Sequence, residues 1–337
     1  MNQESNLPMV SIIINSYRDL DKLRQCLEAL NKLEYDNKEI IIVTYGIPLQ
    51  NIRKALKKMN YNKLILLKKD YGLPAQRNIG FKFADPSSRY VLFIDDDVVL
   101  DKTALSNLVR VAETFPDIGL AQPLLVAQDG FIDCAGAYID FLGYSYNPFR
   151  GLPLSLFIVR KEFYEISYGA GACLLLRADI FRNDKFFKPF DPSFYFNYED
   201  VDLALRTWMK GYKVVCIPSA KAIHKRGRTS KMGILPPFFI YLNTRNKFIT
   251  LGSLLGTKYL ILFIIFELLK SIYLFKVNFG HAIATLYAIL WGIKNFRLIS
   301  FRKKILMINI GENRHPNIFV IKPHIRNLIN ELKLHYF

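Results

Sequence analysis

Along the first half of the chain, short unbroken apolar runs alternate with stretches whose apolar residues recur every three or four positions. The runs Val10–Asn15, Glu39–Val43, Leu64–Leu67 and Tyr90–Ile94 have the length and the Ile, Val and Leu content of strands covered on both faces. After the first run, a helix capped by Asp19 or Asp21 carries the stripe Leu23, Cys26, Leu27 and Leu30. Helices are also predicted over Gln50–Met59, Pro74–Ala84 and, with Asp101 as cap, Thr103–Thr114. This alternation predicts an α/β fold with a doubly wound, mostly parallel sheet. Further on, Leu120–Val126 reads as a strand and Tyr168–Arg177 as a glycine-rich turn running into one. Asp200–Lys210 reads as a helix stopped by Gly211, and Lys213–Ile217 as a strand. Residues 127–165 lack a clean period and read as loops with short strands.

The pattern changes at Pro236 and Pro237, which divide the chain into residues 1–235 and a C-terminal region, residues 236–337. Two longer apolar stretches follow, Tyr259–Phe275 and Ala282–Ile293. Glu267 and Lys270 interrupt the first, and the second falls short of the about 20 residues a spanning helix needs. Helices lying in a membrane interface are favoured over spans and over plain packing on the first domain. On that reading, a chain cut after about Gly233 would stay folded and soluble.

Charge sharpens the division. Of the 46 Lys and Arg and 29 acids, 19 and 3 lie from Lys221 onward, which leaves 27 basic and 26 acidic residues before it. Nearly all of the net +17 therefore sits on an apolar, aromatic tail, which favours an anionic membrane surface over nucleic acid as partner. The four cysteines have no metal-pair spacing and are expected as buried thiols in a reducing compartment. The N-terminus has neither the basic nor the apolar segment of a secretion signal, and none is expected.

Candidate chemistry gathers at a few places. The Tyr90–Ile94 run ends in Asp95, Asp96 and Asp97. Carboxylates at the C-terminal end of a buried strand sit where open α/β sheets bind ligands. Like charges so close repel unless a cation offsets them. Hard oxygen ligands suit Mg²⁺ or Mn²⁺ bridging a phosphorylated substrate, with Asp95 and Asp97 favoured over Asp96. In Tyr198-Glu199-Asp200-Val201-Asp202, acids suit a helix start, and a carboxylate beside an acceptor hydroxyl can also act as general base. His224 follows a strand end, and a neutral imidazole is an acceptable Mn²⁺ ligand. Arg77, in the helix start Gln76–Gly80, can hold a phosphate or nucleobase, and the basic loop Lys225–Ser230 can clamp a diphosphate.

Taken in order and spacing, Val10–Asn15, Glu39–Val43, Gln76–Gly80, Phe93–Asp97, Gly169–Arg177, Tyr198–Arg206 and Pro218–His224 resemble the family 2 glycosyltransferases, and most of all their rhamnosyltransferase-like branch. The resemblance covers about residues 8–230 and implies the GT-A fold. It implies inverting transfer of a sugar from a nucleotide-diphosphate donor to a hydroxyl. Asp95 and Asp97 match its metal-binding Asp-x-Asp, with Asp96 between them on the donor side. His224 matches a histidine that can complete the metal site. Asp200 matches the general base, with Glu199 beside it. Gly171 and Ala172 match the turn lining the acceptor side, and Asn15, Ser16 and Tyr17 match the nucleotide-binding start. One position departs: Thr44 stands where the family has an aspartate that binds the nucleobase, which leaves the base open.

The expectation is therefore a cation-dependent (Mn²⁺ or Mg²⁺) glycosyltransferase at the cytoplasmic face of the cell membrane, peripheral or monotopic. Its acceptor would be a lipid-linked sugar or other membrane-borne glycan. The alternatives are a metal-dependent nucleotidyl or phosphoryl transferase, whose phosphate loop and catalytic lysine are not evident, and a membrane-bound scaffold with a decayed site.

Overall fold

The computed structural model describes residues 7–225 and 235–310. The first of these segments runs β1 (Val10–Tyr17), α1 (Leu20–Asn31), β2 (Lys38–Tyr45), α2 (Leu49–Ala55), β3 (Lys63–Leu67), α3 (Leu73–Phe83), β4 (Tyr90–Asp95), β5 (Val98–Leu100) and α4 (Ala104–Thr114). It continues with β6 (Ile118–Val126), β7 (Ile132–Cys134), β8 (Tyr138–Ile139), β9 (Ser145–Tyr146), β10 (Tyr164–Glu165), β11 (Cys173–Arg177), α5 (Asp179–Arg182), α6 (Glu199–Met209) and β12 (Lys213–His224). The second segment is helical: α7 (Pro237–Thr250), a π-helical turn (Leu251–Leu255), α8 (Thr257–Val277), α9 (Phe279–Lys294) and α10 (Phe296–Ile310).

The main sheet has the order β10-β12-β6-β11-β4-β1-β2-β3. Strands β4, β1, β2 and β3 pair in parallel, as do β6 and β12, while β11 runs antiparallel between β4 and β6. The mixed α/β, mostly parallel sheet expected from the pattern is the one found. Unbroken apolar runs fill both faces: Ile12, Ile14, Leu92 and Ile94 pack on one side, and Ile13, Ile41, Val91 and Phe93 on the other. Each such side chain, fully buried, contributes about 1.5–3 kcal/mol.

Local differences have local causes. Asp19 caps α1, accepting from the Lys22 N–H at 3.1 Å. Helix α2 stops at Ala55, short of the predicted Met59. The cap of α4 is Thr103 rather than Asp101. Strand β12 does not end at Ile217: it crosses an irregularity between Ile217 and Lys221, rejoins β6, and ends at His224. Of the basic loop Lys225–Ser230, only Lys225 lies within the described residues.

The helical segment is not a separate layer. Phe248, Leu251, Leu254, Leu260, Phe263, Ile299 and Leu306 share one core with Tyr198, Val201, Leu205 and Met209 on and beside α6. Arg302 of α10 reaches Asp202 of α6 at 2.6 Å and Asp191 at 3.1 Å. Packing so extensive argues against the expectation that a chain cut near Gly233 would stay folded.

Candidate active site

Strand pairing decides where the three aspartates point. Asp95 closes β4, its N–H donating to the Ala172 carbonyl at 2.9 Å. The chain turns at once into β5, which pairs antiparallel with the end of β12, Val98 opposite His224. That pairing sets Asp97 Oδ1 3.5 Å from His224 Nε2. The other ring nitrogen, Nδ1, lies 2.5 Å from Asp133 Oδ2. Lys22 Nζ stands 3.5 Å from Asp97 Oδ2. Burial would raise the Asp97 carboxyl, but His224 and Lys22 hold it below the usual range. Burial disfavours the His224 cation, yet Asp133 and Asp97 together push its pKa up to about 9. Asp96 turns the other way and accepts from Ser16 Oγ at 2.7 Å, while burial pushes its pKa up to about 7.

Asp95 faces Arg77. That guanidinium is 1% exposed and lies over the Phe190 ring. Nη1 donates to Glu199 Oε1 at 3.0 Å; Nη2 donates to Asp95 Oδ1 at 3.0 Å and to the Gly171 carbonyl at 2.7 Å. Arg77 was expected to meet a phosphate or nucleobase. Here it joins the strand-end aspartate to the acidic start of α6. A Cβ on Gly171 would stand 2.9 Å from Nη1, so this close approach itself favours glycine.

Glu199 and Asp200 enter α6 from an unusual loop. Tyr195, Asn197 and Tyr198 have φ of 63°, 68° and 72°, conformations that cost of order 1–3 kcal/mol each outside glycine. Asn246 of α7 holds this loop: its Nδ2 lies 3.1, 3.0 and 2.7 Å from the carbonyls of Phe194, Phe196 and Asn197. The Tyr198 hydroxyl donates to the Gly143 carbonyl at 2.8 Å. The two acids then part. Glu199 turns inward onto Arg77, and burial pushes its pKa up to about 7. Asp200 faces a cavity of about 420 Å³ bounded by Gly143–Arg150, the start of α6, α7 and α8. Its Oδ2 accepts from the Gly171 N–H at 2.9 Å, and burial raises its pKa. Tyr144, Tyr168, Asn243, Lys247 and Lys270 also line this cavity. The turn Gly171-Ala172 thus touches both sides, holding Asp200 through one residue and Asp95 through the next.

Asn15, Tyr17 and Thr44 lie at the neighbouring strand ends. Tyr17 stacks on Tyr45 with ring centroids 5.6 Å apart, and the Arg18 guanidinium lies over both rings. Stacked aromatics beside a cation suit a planar base. Among the described residues, the buried Asn15 carboxamide and Thr44 hydroxyl have no hydrogen-bond partner.

The donor set fits a hard divalent cation only in the open form. Among the described residues, no three His, Cys, Asp or Glu side chains converge into a closed cage. Asp97 and His224 do face each other at a separation too long for a strong hydrogen bond and right for two ligands sharing one ion. Mg²⁺-type sites of this kind use one or two protein ligands plus substrate phosphates.

Sequence reasoning missed three participants: Asp133, Asn246 and the strand β5. Asp133 sits in the aperiodic stretch 127–165, and Asn246 lies beyond the boundary at Pro236. Neither carries a spacing signal, because each acts through a contact distant in the chain.

Comparison with known proteins places the chain in a family. The model of the glycosyl transferase family 2 matches residues 11–184. The O-antigen biosynthesis protein RfbC of Myxococcus xanthus is 28% identical over 155 residues, 44% of this chain and 12% of its own. The uncharacterized protein y4gI of Sinorhizobium fredii is 26% identical over 226 residues, 64% of this chain and 24% of its own. The chain thus spans about an eighth to a quarter of these relatives. Two solved structures share the fold. GalNAc-T7 with UDP, GalNAc and Mn²⁺ has a TM-score of 0.61 at 16% identity, covering 94% of this chain and 59% of that one. S. aureus TarS 1-349 with UDP-GlcNAc has a TM-score of 0.56 at 16% identity, covering 90% and 89%. The chain belongs to the family 2 glycosyltransferases and has their GT-A architecture.

Proposed function

We propose that this chain transfers a sugar, with inversion, from a nucleotide-diphosphate sugar to a hydroxyl of a membrane-linked glycan or lipid. The bridge through Arg77 carries the reading: one buried guanidinium ties the strand-end Asp95 to the segment bearing Asp200. Similarity to RfbC, named for O-antigen biosynthesis, supports a glycan acceptor. The likeness to proteins solved with UDP and UDP-GlcNAc supports a nucleotide-sugar donor.

In this reading Tyr17 and Tyr45 stack the base. Asp97 and His224 would hold a divalent cation, which would supply Lewis-acid neutralisation of the leaving diphosphate. The acceptor hydroxyl enters the cavity and gives its proton to Asp200. Its oxygen attacks the anomeric carbon as the bond to the diphosphate breaks, which inverts that centre. The Gly171 N–H holds the Asp200 carboxylate in place for this task. A screen of UDP-, dTDP- and GDP-sugars with Mn²⁺ and Mg²⁺ tests the assignment. Donor hydrolysis or transfer is expected with one nucleotide class. Release of inorganic pyrophosphate from a nucleoside triphosphate, without hydrolysis of any donor, would instead identify a nucleotidyl transferase.

The second half of the proposal is the membrane. Helix α8 buries Leu260, Phe263, Glu267, Ser271 and Leu274, yet its outer side bears the exposed Ile261, Ile265, Leu268, Leu269 and Ile272. A helix apolar all round needs a second apolar surface. Residues 235–310 contain ten Lys and Arg and one acid, the buried Glu267. No single described helix is long and apolar enough to cross a membrane; α9 and α10 meet the test only as a pair bent by 64°. An anionic bilayer surface, at the cytoplasmic face of the cell membrane, satisfies both the apolar face and the charge. Flotation with phosphatidylglycerol vesicles is expected at low salt and weaker at high salt. Equal flotation with neutral vesicles would remove the electrostatic part.

A further inference from the structure

We propose that Asp133 is the positioning residue of the cation site: it fixes the tautomer and the rotation of His224, so that Nε2 presents its lone pair beside Asp97. The inference rests on the reading of Asp97 and His224 as ligands, and adds a residue that no motif contains.

The argument begins with placement. Asp133 lies in β7, which pairs with β6, the strand beside β12. Two neighbouring strand pairings therefore bring Asp133 and His224 together from positions 91 residues apart. The Asp133 side chain is 9% exposed and that of His224 18%, so water competes little for their contact. Oδ2 lies 2.5 Å from Nδ1, the separation of a short, charge-assisted hydrogen bond. A carboxylate can only accept there, so Nδ1 carries the proton. The neutral ring then has its lone pair on Nε2 alone. Nε2 lies 3.5 Å from Asp97 Oδ1.

The alternative arrangement shows what Asp133 prevents. Without a fixed acceptor at Nδ1, the ring can place its proton on Nε2, or turn about χ2, and either change takes the lone pair away from Asp97. Outer carboxylates of this kind raise the basicity of a histidine ligand, and their loss weakens metal affinity about 10–100-fold. Lys22 faces the same group from α1, 3.5 Å from the other oxygen of Asp97. It biases Asp97 toward the carboxylate form but cannot orient the imidazole. Asn147 donates to the backbone carbonyl of Asp133 at 3.1 Å, which anchors the strand while leaving the carboxylate directed at His224.

Manganese titrations of the whole chain with UDP, followed by the EPR signal of free Mn²⁺, test the assignment. Asp133→Asn keeps the shape of the side chain and is expected to weaken Mn²⁺ binding about 10–100-fold. The directly coordinated nitrogen seen by electron spin-echo modulation should diminish in parallel. Asp133→Glu should recover part of both. In a His224→Ala background, Asp133→Asn should have no further effect on affinity, whereas a purely structural role would lower it again. If Asp133→Asn does not fold, the same cycle with Asp133→Ser decides. If His224→Ala binds Mn²⁺ like the wild type, the ligand reading fails and the proposal falls with it. If His224→Ala binds weakly while Asp133→Asn binds normally, the ligand reading survives and only the role of Asp133 is overturned.

Discussion

The sheet and the C-terminal helices place their charges in opposite ways. In the sheet, apolar strands run through the core and carboxylates emerge at their ends, at Asp95, Asp96 and Asp97. In the helices, Asn246, Lys247, Glu267 and Arg302 point inward and are buried, while Ile265, Leu269, Ile272 and Leu298 point outward and are exposed. The first arrangement is that of a protein solvated by water with a ligand at the strand ends. The second is turned inside out: its polar groups face the sheet domain, and the proposed membrane surface would cover its apolar ones. The contrast teaches that one helical region both walls the cavity that Asp200 faces and presents an exposed apolar side.

The sheet side of this comparison breaks most visibly at Asp200. Asp200→Asn keeps the size of the side chain but removes the basic oxygen, and should lower kcat about 10²–10⁴-fold with little change in donor affinity. Glu199→Gln should act differently: it weakens the tie to Arg77 and lowers stability along with activity. Steady-state kinetics with donor and acceptor varied separately distinguish the two. If Glu199→Gln abolishes turnover while Asp200→Asn does not, the roles are exchanged.

The inward charges of the helices come next. Arg302 is the partner of the fully buried Asp202, whose carboxyl Arg206 and Arg302 hold below the usual range against the effect of burial. Arg302→Met leaves the buried Asp202 to Arg206 alone, and removing one member of such a buried ion-pair network costs up to about 3–5 kcal/mol. Urea unfolding should show that loss, although residue 302 lies about a hundred residues beyond Asp202. A loss under 1 kcal/mol would mean that the helices are an appendage after all.

The outward face should show the reverse. Leu269→Ser combined with Ile272→Ser changes two exposed positions and should leave unfolding within about 1 kcal/mol of the wild type. Flotation on anionic vesicles should nevertheless fall several-fold. Lost stability with unchanged flotation would mean that this face packs on protein rather than lipid.

How much of this the sequence discloses depends on the range of the interaction. The strands Val10–Asn15 and Tyr90–Ile94, the carboxylates that follow the second, and the acidic start of α6 are local patterns, and all could be read. Arg77 could be seen but not understood, because its three partners come from β4, from the turn at Gly171 and from α6. The same limit hid the extension of β12 to His224, which depends on pairing with both β6 and β5. Pro236 and Pro237 do mark the start of a helix, and the sequence does not show that this helix and its successors share a core with α6. Apolar periodicity shows that a helix has a face to bury. It does not show what covers that face, and for α8 the structure shows one side packed in the core shared with α6 and the other exposed.

The smallest expected effect concerns protons at the donor side. His224 sits between Asp97 and Asp133, and its pKa rises from the ordinary 6.5 to about 9 in the folded chain. A raised histidine contributes stability fully present below about 6.5, which is lost as pH rises through about 9. Metal-free protein should therefore lose stability between those values, and His224→Ala should flatten that part of the curve. Glu199 and Asp96, raised to about 7, also titrate there, but they remain in both proteins, so the difference between the two curves isolates His224. A divalent cation must act in the opposite sense. It needs the neutral ring, so its binding releases a proton and strengthens as pH climbs toward 9. Thermal melts from pH 6 to 9.5, with EDTA or with Mn²⁺ and UDP, should show the Mn²⁺-induced stabilisation growing while the metal-free protein weakens. If wild type and His224→Ala give parallel curves in EDTA, His224 does not hold the proton that this geometry assigns to it. If the Mn²⁺ increment is independent of pH, the ring is not a ligand, and the strand-end aspartates serve the donor without it.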